Sequence, residues 1–409
     1  MITAVTPFSP EFMPFFPEPY AGKRAIYFDI ETTGLSAQTS YVYLIGCACQ
    51  EEDRLVLTQW LCTEPSEEKE LLRLFFEKAK DFDLLLHYNG TSFDLPFLEK
   101  KAVRHRLTSP LTQLESLDLY RTARSMKSWF SLPDLKLKTM ERFFGFSRTD
   151  VFSGEDLIAV YAKFLGLYRL NTMTNNKMQA EEHALTQVLL LHNAEDVKNL
   201  PSLTVLFFLL HLPAFFKAEQ LLSLPPASGC KKPHFPPDSA TQDSPVQFSC
   251  SYSLPFSIPK DFALSFPWET SGLRLLFSAE QGTVSFLLPV YEAELKYFYP
   301  DPADYYYLPL EDCAMHKSVA SFVEKEYRKK ATAATCYTKK NGAFLPLALR
   351  PASGKKAETK KEAENTPASL PCFFPDYKSK FAYTPLTNEL LESPELLTIL
   401  CRQLLGSLL

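Results

Sequence analysis

The sequence predicts an α/β protein: a mixed β-sheet flanked by helices, followed by a smaller α+β C-terminal domain. Three observations lead there. β-Favouring stretches at Arg24–Ile30, Tyr41–Cys49 and Leu55–Leu61 are joined by polar turns, and helix then alternates with strand through Leu119. Proline and serine crowd the stretch from Pro213 to Pro245, which reads as a linker between folded parts. At 409 residues with 46% hydrophobic content, the chain has length for two or three domains with packed cores.

Residues 1–22 are rich in aromatics and proline and read as an arm that packs on a domain. The next domain spans residues 23–212. Its first strand carries Asp29 and Glu31 with one residue between them, so both carboxylates share one face. Two acids that close repel and raise each other's pKa unless a cation lies between them, which points to a bound metal. Thr32, Thr33 and Gly34 form a polar turn at the strand end. A helix over Glu67–Lys80 leads to a buried strand at Phe82–His87, a turn at Asn89–Gly90, and Asp94 at the start of another helix. An acid there also suits the positive end of a helix dipole without any further role. Pro133–Phe144 and Gly154–Leu167 read as helices, with Lys136 and Lys138 as surface lysines or backbone contacts. In EEHALTQVLLLHNAEDVKNL, His192 and Asp196 lie four apart on one helix face. Leu203–Phe216 is broken by Thr204, His211 and Pro213, is too short to span a bilayer, and reads as a buried helix.

The second domain is expected over residues 246–350, with hairpin turns near Gln281–Gly282 and Lys340–Asn341–Gly342 and a helix over Glu324–Lys330. Asp312 and His316 are expected one helical turn apart as a structural pair, and the tyrosines around 297–307 as core rather than as base-stacking surfaces. A charged spacer over 351–366 precedes a segment, 367–409, that ends in a short amphipathic helix.

The ordered motifs DIETTG, NGTSFDLPFL and His-x-x-x-Asp resemble the DEDD (DnaQ-like) 3'-5' exonuclease superfamily. With DLYR, LKLKTMERFFG and SGEDLIAVYAKF, they resemble its YprB-like bacterial branch of RNase H-fold exonucleases, over roughly half of the chain. The resemblance implies an RNase H-like sheet. It makes Asp29, Glu31, Asp94 and Asp196 the metal-binding carboxylates, and gives His192 the place of the group that orients or deprotonates the attacking water. Thr32, Thr33, Gly34, Asn89 and Phe93, which flank the acids in these motifs, are the expected substrate contacts. His192 departs from the family pattern, since it stands at the spacing of the tyrosine form and Leu191 occupies the usual histidine position. Phosphodiester hydrolysis needs an activated water and a neutralised leaving oxygen, chemistry that two Mg²⁺ or Mn²⁺ ions about 4 Å apart supply. A cage made mostly of carboxylates suits those hard ions better than zinc.

The expected function is a metal-dependent 3'-5' exonuclease acting on single-stranded or frayed ends of DNA or RNA. The alternatives are a catalytically weakened nucleic-acid-binding protein of the same fold and an internally cleaving RNase H-type endonuclease. A net charge of −5 gives no global sign of a nucleic-acid partner. Locally, Lys329, Lys330, Lys339 and Lys340 belong to a basic stretch compatible with phosphate contacts, and equally with a solvated helix face and a basic hairpin tip. Nine cysteines without a C-x-x-C pair, and no secretory signal pattern, lead to the expectation of a reducing cytoplasm without a membrane anchor.

Overall fold

Runs of β-branched and aromatic residues alternate with amphipathic helices through the first half of the chain, and they fold into one layered unit. The computed structural model describes residues 1–130, 132–174, 178–223, 247–254, 258, 260–266, 272–349 and 370–407. The chain divides into two units, Met1–Lys127 with Leu132–His211, and Ser128–Ser131 with Leu212–Leu409.

In the first unit the elements are β1 (Ile2–Phe8), β2 (Ala25–Thr32), β3 (Val42–Glu51), β4 (Arg54–Leu61), α1 (Glu68–Ala79), β5 (Leu84–His87), α2 (Asp94–His105), β6 (Glu115–Asp118), α3 (Leu119–Ser125), α4 (Leu137–Phe143), α5 (Gly154–Thr174), α6 (Gln179–Lys198), α7 (Leu200–Leu203) and α8 (Val205–Phe215). The division between units falls within α8. The strands form one six-stranded sheet in the order β1-β4-β3-β2-β5-β6. Pairing is antiparallel from β1 to β2 and parallel from β2 through β5 to β6. Parallel neighbours need crossovers, and α1 and α2 supply them. This is the mixed, helix-flanked sheet expected from the sequence.

Alternation along β2 divides its side chains between two helical layers. Phe28 faces α1, its ring 5.3 Å from that of Phe75. Asp29, one residue on, points to the other face, where Asn193 of α6 meets it. The helical run from Gln179 to Phe215 is long and apolar enough by composition to cross a membrane, but 67% of its most apolar window is buried within the protein, the packing of a core helix. The N-terminal segment does more than pack as an arm. Residues 2–8 pair antiparallel with β4, Ile2 opposite Leu61 and Phe8 opposite Leu55, because Ile, Thr and Val outweigh a single edge-strand proline.

The second unit contains β7 (Leu221–Ser223), β8 (Gln247–Ser253), β9 (Phe262–Ser265), β10 (Arg274–Ser278), β11 (Thr283–Pro289), β12 (Tyr291–Phe298), β13 (Tyr305–Leu308), β14 (Cys313–His316), α9 (Lys317–Ala320), β15 (Lys329–Lys330), β16 (Tyr337–Leu349), β17 (Phe381–Pro385), α10 (Asn388–Glu392) and α11 (Pro394–Gly406). They form three sheets, β7-β8-β11-β10-β9, β12-β16-β17 and β14-β13-β15. The hairpin at Gly282 is present, with φ +59° and Ser278 paired to Thr283. The expected amphipathic helix is α11, which buries Leu397, Leu400 and Leu404 against β16.

Three expectations for this unit fail. No turn forms at Lys340–Gly342, because β16 runs straight through and pairs Lys340 with Leu295 and Gly342 with Ala293; pairing with β12 overrides local turn chemistry. Glu324–Lys330 is a 3₁₀ turn at Lys325–Tyr327 followed by β15, not one helix. Asp312 sits in the β13–β14 turn at φ +48° and accepts from Tyr307, while His316 ends β14 and meets Ser318, so the two are not a helical pair. The charged spacer and most of the Pro/Ser linker, residues 224–246, lie outside the described residues.

Gly46 of β3 stands opposite Asp29 and admits α6 to the sheet: a Cβ there would lie 2.1 Å from Asn193 Oδ1. That oxygen also accepts from Gln59 Nε2 at 2.9 Å. Gly46→Ala should therefore displace Asn193 and cost about 1–3 kcal/mol by overpacking, read from urea denaturation. An unchanged midpoint and slope would show that the helix has room to retreat.

Candidate active site

β2 brings Asp29 and Glu31 to the face covered by α6. Both are largely withdrawn from water, and Glu31 is 8% exposed. The loop after β5 then turns back through Asn89, held at φ +62°, and delivers Asp94, 8% exposed, as the first residue of α2. Gly90 is required in that loop, since a Cβ there would lie 2.8 Å from the His87 ring and 3.0 Å from Asp94 Oδ2. From α6 come His192 and Asp196, one turn apart.

These groups converge. Donor atoms of Glu31, His192 and Asp196 lie within 4.8 Å of one another, a spacing that a metal ion can bridge. His192 Nε2 is 3.6 Å from Glu31 Oε1 and 3.4 Å from Asp196 Oδ2. Asp29 accepts from Asn193 Nδ2 at 3.2 Å. Burial pushes Asp29 well above the usual carboxylate range, and the charges of Asp196, Asp94 and Glu31 push it further, against the Asn193 hydrogen bond. Glu31 is raised for the same reasons, burial first and then Asp196 and Asp94. Burial also carries Asp94 up to about 7, with Asp118 and Asp196 adding to it while backbone N–H groups, Ile30's among them, oppose it. Mutual repulsion among buried carboxylates is what a hard divalent cation relieves, and oxygen-rich donors joined by one imidazole fit Mg²⁺ or Mn²⁺.

Several groups around the cluster were not among the expected site residues. Asp150 lies between α4 and α5, and its Oδ2 is 2.8 Å from His192 Nδ1, within ion-pair distance although off the line of a ring N–H hydrogen bond. Burial would raise Asp150, but Lys138 Nζ at 3.0 Å and the His192 ring outweigh it and hold the acid below its usual value. Lys138, open as a backbone contact from sequence, thus serves this carboxylate. Arg148 pairs with Asp196, Glu141, Asp150 and Glu195. Burial opposes its charge, yet Asp196 and Glu141 raise its pKa above the ordinary value. Asp118 caps α3 through Tyr120 N and accepts from the backbone N–H of Asn89 at 2.8 Å, so it holds the loop that presents Asp94.

The remaining sequence-predicted residues divide by unit. Thr32 and Thr33 brace the turn after β2, through Thr32 Oγ1 donating to Gly34 O at 2.9 Å and Tyr41 N donating to Thr33 Oγ1 at 3.1 Å. Phe93 stacks obliquely on Phe97 directly before Asp94. Lys329, Lys330, Lys339 and Lys340 belong to the second unit. Lys329 and Lys330 are exposed opposite Tyr307 and Tyr306, whereas Lys339 is engaged by Asp312 at 2.5 Å and Glu294 at 3.4 Å.

The RNase_H superfamily model matches residues 26–207, which span every one of the clustered acids. The chain is 30% identical over 191 residues to the uncharacterized protein YprB of Bacillus subtilis (strain 168), covering 46% of this chain and 42% of that relative. It therefore spans less than half the length of the curated relative it matches. Among solved structures it is similar to the family B DNA polymerase of the archaeon Pyrobaculum calidifontis, with TM-score 0.34, 16% identity, and 52% of this chain and 29% of the polymerase covered. It is also similar to E. coli Exonuclease I in complex with a dT13 oligonucleotide, with TM-score 0.27, 13% identity, and coverage of 40% and 44%. Superpositions this loose carry no argument. Residues 26–207, which carry the mixed sheet and the acids gathered on β2, α2 and α6, are thus similar to the RNase_H superfamily and share its type of sheet.

Proposed function

We propose that this chain is a metal-dependent 3'-5' exonuclease that hydrolyses phosphodiester bonds at single-stranded or frayed nucleic-acid ends. The observation that carries this reading is the convergence of Glu31 from β2 with His192 and Asp196 from α6, beside Asp29 and Asp94. Two Mg²⁺ or Mn²⁺ ions bound there would supply charge stabilisation for the attacking and leaving oxygens. Asp29, Glu31, Asp94 and Asp196 are the groups that would hold them. His192 has Asp150, an ionised carboxylate, at Nδ1, which favours the tautomer with its proton on that atom and leaves Nε2 as the acceptor facing the acids. Nε2 thereby orients the attacking water by accepting its hydrogen bond.

End-labelled DNA and RNA oligonucleotides, open and end-blocked, test this directly. Cleavage should require Mg²⁺ or Mn²⁺, proceed from the 3' end, and fall at least about 10³-fold in Asp29→Ala and Asp94→Ala. Equal cutting of circular and linear strands would instead favour internal cleavage, and full turnover by either variant would remove the metal assignment.

The orienting role has its own test. His192→Ala should lose about 10²-fold or more in kcat, the range of a positioned proton-transfer group, while His192→Tyr keeps substantial activity. Asp150→Asn should fall towards the alanine variant, since it removes the charge that sets the tautomer. A tyrosine variant as inactive as the alanine variant, with fold intact, would make His192 a base instead.

Charge state adds a test of stability without metal. Asp29, Glu31 and Asp94 have folded-state pKa values above their unfolded ones, so their contribution is full below about pH 4 and is lost as pH rises, through about 7 for Asp94. Asp150 acts in the opposite sense, stabilising above its unfolded pKa and losing that as pH falls. With metal chelated, Tm of the wild type should fall between pH 5 and 7.5 by roughly 4 °C or more relative to Asp94→Asn. Parallel pH profiles for the two proteins would show that Asp94 carries no such strain.

A further inference from the structure

Arg148 is the one cationic side chain recorded within ion-pair distance of a motif carboxylate among the described residues, histidine aside. Its side chain is 10% exposed, and Nη1 donates to Glu141 at 3.0 Å. Nη2 reaches both Asp196 Oδ1 and Asp150 Oδ2, the latter at 3.3 Å. Nε is buried without a hydrogen bond and faces Glu195 at 3.5 Å. We propose that Arg148 is a positioning residue that takes the place of the divalent cation at Asp196 in the metal-free protein and yields that carboxylate when the ion binds, so that arginine and metal compete for it. This rests on the reading of Asp196 as a metal-holding carboxylate.

Three features support the exchange. A guanidinium is charged at every accessible pH, so it neutralises Asp196 where a lysine or histidine in so buried a place would tend to lose its proton. Arg148 also has somewhere to go. Glu141, Asp150 and Glu195 are not motif acids, and together they can keep the guanidinium paired after Asp196 is released. The unbonded Nε needs to close only a short gap to Glu195. Finally, the stretch carrying Arg148 is tied to α6 beside Asp196: Glu195 accepts from Thr149 N at 2.8 Å and Asp150 N at 2.9 Å. Asp150, on the same stretch, meets His192, so movement of Arg148 is coupled to the group proposed to orient water.

The test measures metal binding rather than turnover. Calorimetric titration with Mn²⁺ is made on wild type, Arg148→Gln and Arg148→Lys, alongside thermal melts with and without metal. Arg148→Gln should bind Mn²⁺ about tenfold tighter or more, melt lower than wild type without metal, and show a larger metal-induced rise in Tm, with Arg148→Lys between. In the wild-type protein the Arg148 Nε resonance should shift on titration with Mg²⁺, a readout that needs no variant to fold. Unchanged or weakened Mn²⁺ binding in the variants, or an Nε resonance indifferent to saturating Mg²⁺, overturns the proposal. Wild type that binds no Mn²⁺ at all would be a different failure, removing the metal site itself and this proposal with it.

Discussion

Like charges held out of water govern the first unit. Asp29, Glu31, Asp94 and Asp196 come from a strand and two helices, and Glu31, Asp94 and Asp196 each raise the pKa of at least one of the others. Such a cluster is stable only with protons on some of its acids or with positive charge among them. The surrounding structure answers with Arg148 at Asp196 and Lys138 behind Asp150. Removing a buried ion's partner is far more costly than losing a surface pair, which explains why loop residues between α4 and α5 are fastened to α6 by several hydrogen bonds.

Geometry at that cluster depends on how closely α6 approaches the sheet. Gly46 opens the space, Asn193 fills it, and one asparagine then bonds to Asp29 while its own oxygen is held by Gln59. The β5–α2 loop is set with similar economy. Asp118 accepts from Asn89 and Thr91, His87 Nδ1 accepts from Gly90 N, and Asp94 is left facing the β2 acids. His87 is pushed down to about 4 by burial, so it stays neutral and serves as a fixed acceptor rather than as a titrating group.

The second unit shows how local signals lose to partner strands. KKNG has turn chemistry, yet β12 offers a full ladder of backbone partners, and β16 stays extended through it. Glu324–Lys330 has helix-forming residues, but Lys329 and Lys330 find pairs opposite Tyr307 and Tyr306. Strand pairing is non-local, and a single sequence does not reveal which strands will be neighbours.

The motif acids were legible because their chemistry has local spacing: Asp29 and Glu31 two apart on a strand, Asp94 at a helix start, His192 and Asp196 one helical turn apart. The helix-flanked mixed sheet was legible because its periodicities are strong, and an edge strand at residues 2–8 was missed because the proline-rich stretch that follows it made the whole of residues 1–22 read as an arm. Arg148, Asp150, Asp118 and Asn193 were not expected as site residues: Asp118 belongs to DLYR and Asn193 lies within the His-x-x-x-Asp motif, but local sequence assigns none of the four a partner. Their roles come from the tertiary structure, which brings residues 148 and 150 against α6 and residue 193 against β3. The sequence by itself determined which acids could serve a metal. Only folding decided which charges stand beside them, because electrostatic partners buried at a few ångströms are chosen by packing across the chain and not by order along it.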